Sequence, residues 1–323
     1  MIVTIGGGSG MPIINQALIK AGYRNINSIV TTFDSGGDSG RIRTDERGSV
    51  LAFSDYWRSL MSLWNDGDQK QYWQEMLKYR DGRGRNFGNL FFQFMTEKAG
   101  DLSKVDSMFS LLTGAEMCGQ VIPVATEPAD VCFETVSGKK YIGEHNFDDQ
   151  RMSLDMVKRV WLSSEVNSNP EAVSVLNSAD LIIISPGSLY GSILTNFLPK
   201  GMKTAFEKSK AKKILITNIM SVCNETNNFD QDQYVKIIKD YVNIDFDLIL
   251  MTDLLKIDKK ILDKVLNSYA NEHSHPISLN LKGKHKAVLA DIVSLDEVNL
   301  RLRHSVDKLA KFFAKMEYVT KEN

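Results

Sequence analysis

The sequence predicts an α/β protein built on a doubly wound, mainly parallel sheet. Three observations carry this. Short β-branched apolar runs alternate with helical patterns, as βαβ units require. The runs at 181–184 and 214–218 are nearly continuous aliphatic, as strands covered on both faces should be. Glycine- and serine-rich segments follow the runs at 2–5 and 181–184 and lead straight into helical patterns.

The chain opens with a strand at 2–5, a bend over Gly6–Gly10, and a helix at 12–21 that Pro12 can start without losing a donor. A second strand is expected at 28–33. Residues 49–112 hold three of the four tryptophans, Trp57, Trp64 and Trp73, and read as consecutive helices inserted into the alternation. Residues 120–145 read as a small antiparallel hairpin appendage, with strands at 121–126, 131–136 and 140–143 around the turn Ser137-Gly138-Lys139. Further sheet strands are expected at 157–162, 181–184, 214–218 and 248–251. Helices are expected at 170–177, 230–241, 256–267 and 306–316. The whole of 1–323 reads as one domain carrying these two additions.

Composition narrows the function. Of 323 residues 43% are hydrophobic and 24% charged, and 39 basic residues nearly balance 40 acidic ones. A formal charge of −1 gives no global attraction to nucleic acid or an anionic membrane. Nothing approaches the roughly 20 consecutive apolar residues of a membrane span, and the N-terminus has no leader pattern. Cys118, Cys132 and Cys223 are scattered and without CxxC spacing. This suits a reducing cytoplasm and provides no zinc framework. No haem is expected either.

Chemistry concentrates where strands end. Gly7, Gly8, Ser9 and Gly10 precede a helix, so backbone N–H groups and the helix dipole can meet a phosphate. No Gly-Lys-Ser/Thr follows, which excludes a P-loop, and Met11 stands where a dinucleotide fingerprint needs its third glycine. The second strand leads to Asp34, which could bind a ribose hydroxyl or Mg²⁺. Arg41 beyond it could neutralise phosphate, and Asp55 on the first inserted helix could return a second carboxylate to the same mouth. After the run at 181–184, Gly187 and Ser188 repeat the phosphate-facing bend, and Tyr190 offers a planar face to a ring. Asn218 ends the next strand, where its amide could read a base or sugar. Arg303 alone would be a solvated residue before the last helix. His273 and His275 lack a third ligand nearby.

Taken in order, Gly6–Gly10, Asp34–Arg41, Thr126-Glu127-Pro128, Ser185–Tyr190, Asn218-Ile219-Met220 and Arg303-His304 resemble the CofD-like superfamily, most closely its YvcK, or gluconeogenesis-factor, branch. The resemblance spans nearly the whole chain. It implies a Rossmann-like, three-layer fold, a homodimer, and a nucleotide-diphosphate site at the strand C-termini. CofD-type members move a phospholactyl group from a guanosine diphosphate donor with Mg²⁺. YvcK-type members bind UDP-sugars such as UDP-N-acetylglucosamine and act in carbon metabolism and cell shape. In that branch a tyrosine and a late arginine matter, and these would correspond to Tyr190 and Arg303. Ser35 stands where the family has a second aspartate. The resulting expectation is a sugar-nucleotide-binding regulatory protein. Its alternatives are a Mg²⁺-dependent transferase using Asp34 and Asp55, and an NAD-dependent oxidoreductase with Asp34 on the ribose.

Overall fold

A computed structural model describes residues 1–35, 51–100, 102–285 and 287–316. Arg41 and the rest of 36–50 lie outside the described residues, so the expectation for Arg41 has no structural counterpart here.

Among the described residues the central sheet has seven strands, all parallel: β1 (Ile2–Gly6), β2 (Ile26–Val30), β3 (Gly119–Pro123), β7 (Leu181–Ile184), β8 (Lys212–Ile216), β9 (Leu248–Thr252) and β10 (Val288–Ala290). Their spatial order is β10-β9-β8-β7-β1-β2-β3. The chain therefore winds away from β1 in one direction and away from β7 in the other. The β1/β7 pair is the switch point at which ligands sit in sheets of this kind.

Side chains alternate between two cores, as period-two strands dictate. On one face Val3, Ile5, Ile182, Ile184 and Leu215 pack with helices α6 (Pro170–Ser178), α7 (Met202–Lys208) and α8 (Gln231–Tyr241). On the other Ile2, Leu181, Ile183 and Ile214 pack with α1 (Gly10–Lys20), α10 (Val306–Phe313) and the inserted helices. Those are α2 (Ser54–Leu63), α3 (Asp68–Lys78), α4 (Phe87–Ala99) and α5 (Val105–Thr113), running from β2 to β3 with no strand between them among the described residues. Helix α9 (Lys259–Ala270) packs elsewhere, against the β11–β12 hairpin described below, through Val265 and Tyr269. One polar seam crosses the second core. The Thr4 hydroxyl donates to Asn15 Oδ1 (2.9 Å), and the Asn15 amide donates to Ser28 and Ser62 (2.9 Å each). All its members are satisfied, so it costs little to bury and ties α1 and α2 to the sheet.

Three expectations change. The strand expected at 121–126 belongs to the central sheet, paired in parallel with β2, and not to the appendage. The run at 157–162 moves the other way. As β6 (Val157–Leu162) it flanks β4 (Val131–Thr135), whose other neighbour is β5 (Lys140–Ile142), in an antiparallel three-stranded sheet. Its exposed Lys158 and Arg159 suit a sheet with one wet face, which the apolar count alone had hidden. Finally, strands appear where none was expected: β10 at the edge of the central sheet, and a two-stranded sheet of β11 (Val293–Asp296) and β12 (Arg301–His304) before α10. No helix among the described residues is long and apolar enough to cross a membrane.

Candidate functional site

The two glycine-built bends are in contact. The Ser185 amide donates to the Ile5 carbonyl (2.9 Å). A Cβ on Gly6 would lie 3.2 Å from that of Ser185, and one on Gly10 only 1.9 Å from the Pro186 carbonyl oxygen. Asn218 holds the second bend in place. Its Oδ1 accepts from the Gly187 amide (2.8 Å) and its Nδ2 donates to the Gly187 carbonyl (2.7 Å). Each end of this amide thus makes one bond to backbone, which leaves one N–H and one lone pair for the base or sugar expected there.

Around these bends lies a cavity of 590 Å³, a size suited to a nucleotide-like ligand. Gly8, Ser9, Asp34, Asp55, Gly187, Ser188, Asn218 and Arg303 all line it. Five carboxylates (Asp34, Asp55, Glu144, Asp148, Glu225) and four guanidiniums (Arg58, Arg80, Arg151, Arg303) face it among the described residues. Arg303 stays exposed, yet it lines this cavity. The β11–β12 pairing carries it to the mouth.

The acids are tied into the bends. Asp55 is buried and accepts from the Gly8 amide. Burial and the nearby Asp34 charge raise its pKa to about 6, against the lowering effect of Arg58. Asp55 Oδ2 would meet a Cβ on Gly7 at 2.2 Å, which is why glycine stands there. Glu225 accepts from the Ser188 hydroxyl (2.9 and 3.0 Å) and the Tyr190 amide (3.2 Å), and burial raises its pKa. Both bends therefore meet carboxylates of the protein itself, which corrects the expectation of two open N–H cradles. What remains for an anion is the start of α1: its N-cap Ser9 makes no side-chain cap bond, and no acid occupies its first turn.

Tyr190 also departs from expectation. It is 1% exposed, belongs to the core, and does not line the cavity. An aromatic ring does stand near Arg303, but it is Tyr269 of α9. Together with Arg303, Asn218 and Gly187 it lines an annex of 190 Å³ that also reaches Ser9. Its hydroxyl accepts from the Leu302 amide (3.0 Å), and the Arg301 guanidinium lies 4.7 Å over its ring. His304 lines the same annex with Nε2 buried and unpartnered, and burial lowers its pKa to about 4.

Residues missed from the sequence come from outside the strand ends. Glu144 and Asp148 sit on the β5–β6 connection, pinned by Phe147 stacking on Phe133 (4.2 Å), by Asn224 donating to the Phe147 carbonyl (3.0 Å) and by Ser35 accepting from the His145 amide (3.2 Å). Burial and Asp34 push Glu144 well above the usual carboxylate range. Ser35, in place of a second aspartate, thus serves as a backbone latch. A Gly143–Glu144 pair in the connection between β5 and β6 carries no signal in one sequence that it will fold over a distant mouth.

Among the described residues no three His, Cys, Asp or Glu side chains form a metal-ligating group. Mg²⁺ needs only one or two carboxylates when phosphate oxygens complete its shell. Asp34 and Asp55, hard oxygen donors lining the same cavity, fit that limited demand.

The family model for the 2-phospho-L-lactate transferase CofD matches residues 2–296. The gluconeogenesis factor of Listeria monocytogenes is 31% identical over 319 residues, covering 96% of this chain and 93% of the relative. That of Bacillus subtilis is 30% identical, with 96% and 95% covered. A crystal structure of a Bacillus halodurans protein superposes with a TM-score of 0.84 at 26% identity, covering 97% of this chain and 99% of that one.

Proposed function

The chain belongs to the CofD family, and from that premise we propose that it binds a nucleotide-diphosphate sugar of the UDP-N-acetylglucosamine type as a cytoplasmic regulator of carbon metabolism and cell shape. The observation that carries the reading is the placement of cations. Arg151 and Arg303 stand on the walls shared by cavity and annex, beside the uncapped start of α1 at Ser9. A diphosphate there would meet guanidiniums and helix N–H groups while staying clear of the acidic side formed by Asp34, Asp55 and Glu144. The annex at Tyr269 would take a planar base or sugar ring. The relatives' name, gluconeogenesis factor, supports the metabolic role.

A thermal-shift panel of UDP-N-acetylglucosamine, UDP-glucose, GDP and NAD, each with and without Mg²⁺, tests this. A specific ligand at about 100 times its Kd should stabilise the fold by about 2.7 kcal/mol. Stabilisation by the UDP-sugars supports the reading. Stabilisation by NAD or GDP alone overturns it.

The acidic side favours a second reading, a Mg²⁺-dependent transferase moving a phospholactyl-type group from a nucleoside diphosphate donor. Asp34 and Asp55 would hold the ion, which would offset charge developing on the diphosphate. The chain's own part is to keep Asp55 pinned by Gly8 and to place Arg58 beside it (3.7 Å). If added Mg²⁺ changes neither nucleotide affinity nor turnover, this second reading is lost.

A further inference from the structure

Beside the main cavity lies a second one of 450 Å³, between the start of α1, helix α2 and the end of α3. The two share Ser9, Arg58 and Arg80 as walls. The second cavity presents three cations, Arg58, Lys78 and Arg80, and among the described residues no carboxylate lines it. The main cavity has five. In a chain of formal charge −1 this is a local segregation of charge, and it leaves like charges facing one space.

The cations are held but only partly neutralised by their surroundings. Arg58 lies 5.5 Å over the Trp57 ring and 3.7 Å from Asp55. Arg80 Nη1 donates to the Gly84 carbonyl (3.0 Å), which leaves other guanidinium donors. Lys78 ends α3, where the helix dipole favours a cation. The buried Trp57 and Met61 give the pocket an apolar wall, and Gln16 and Gln74 add amides. Asn86 lines it too, but its side chain is spent on the Leu77 and Tyr79 carbonyls and the Asn89 amide. An oxyanion is the chemistry that matches two guanidiniums and an ammonium around a pocket lined by no carboxylate among the described residues.

We infer that this pocket is a second oxyanion subsite, which takes a carboxylate carried on the sugar of the ligand bound in the main cavity. The inference rests on the diphosphate-sugar reading and adds to it a preference for acidic sugar nucleotides within that class. Arg58 and Arg80 span both spaces, so a sugar leaving the diphosphate passes them before its carboxylate reaches Lys78.

The matched pair UDP-glucose and UDP-glucuronate, which differ only by a hydroxymethyl group against a carboxylate, tests it by calorimetry on the full chain at low salt. UDP-glucuronate should bind about tenfold tighter, as a charge-assisted contact predicts. Lys78 is exposed and outside the main cavity, so Lys78→Glu should fold, abolish the preference, and leave UDP-glucose affinity within about twofold. Equal affinities in the parent protein, or a preference surviving Lys78→Glu, overturn the subsite. If neither nucleotide binds, the diphosphate-sugar reading itself fails, and inorganic phosphate decides the subsite alone. A saturable change in tryptophan fluorescence, lost in both Trp57→Phe and Lys78→Glu, sustains an oxyanion pocket there; no saturable change removes it.

Discussion

Replacing Gly10 by alanine separates the tertiary argument from the local one. Gly10 begins α1, and helix propensity alone predicts that Gly10→Ala gains about 1 kcal/mol. The bends oppose this. The new methyl would stand 1.9 Å from the Pro186 carbonyl oxygen and 2.8 Å from its carbon. Both are backbone atoms that no rotamer change can withdraw. The bends would have to part by roughly 1 Å, and overpacking of this kind costs about 1–3 kcal/mol. Gly187→Ala is the control on the facing bend, because its Cβ would have only ordinary contacts at 3.5 and 3.6 Å. It should stay within about 0.5 kcal/mol of the parent. Urea denaturation followed by circular dichroism reads both variants, and a midpoint shift at constant m isolates stability. Gly10→Ala as stable as the parent, or more stable, would mean that the bends do not touch. The site built on their contact would then be lost.

Tyr190→Phe should leave UDP-sugar affinity unchanged in calorimetry, whereas Tyr190→Ala should cost about 3–5 kcal/mol in urea unfolding through the core cavity it opens. Asp55 has a folded pKa of about 6 against 3.8 for a free aspartate, so the folded state holds the extra proton in that window and stability falls as pH rises through it. Stability profiles of the parent and Asp55→Asn should therefore diverge between pH 4 and 7, with the variant gaining on the order of 3 kcal/mol. His304 has the opposite sign: its pKa of about 4, against 6.5, means the unfolded chain binds the proton first and stability falls as pH drops through that range. A His304→Gln variant should lose that part of the acid-side slope in the same titration. Asn218→Asp puts a carboxylate oxygen against the Gly187 carbonyl and should lower the urea midpoint by about 1–3 kcal/mol of stability, with weaker ligand binding.

Much of the site could be read locally. Gly7, Gly8, Ser9, Gly187 and Ser188 follow directly on strands, and their bends adjoin because β1 and β7 pair. Asp34 and Asp55 line one cavity, since a strand end and the first inserted helix lie side by side. Tyr190 misled for a physical reason. A residue two positions past a bend can point up to the ligand or down to the core, and in the π-helical turn Leu189–Ile193 it lies buried in the core. Arg303 was placed through family likeness, because the short β11–β12 pairing that carries it gives little period-two signal.

Strand periodicity and glycine placement, both encoded within a few neighbouring residues, determined the parallel sheet, its bends and the edge at which a ligand would sit. Only the tertiary structure decided the occupants of those bends. Glu225 and Asp55 reach the amides across the fold, Glu144 arrives on a folded-down connection, and Arg58, Arg80 and Arg151 gather from three separate segments. Charges act through space, so their balance at a cavity depends on contacts between residues far apart in the chain, which no local pattern records.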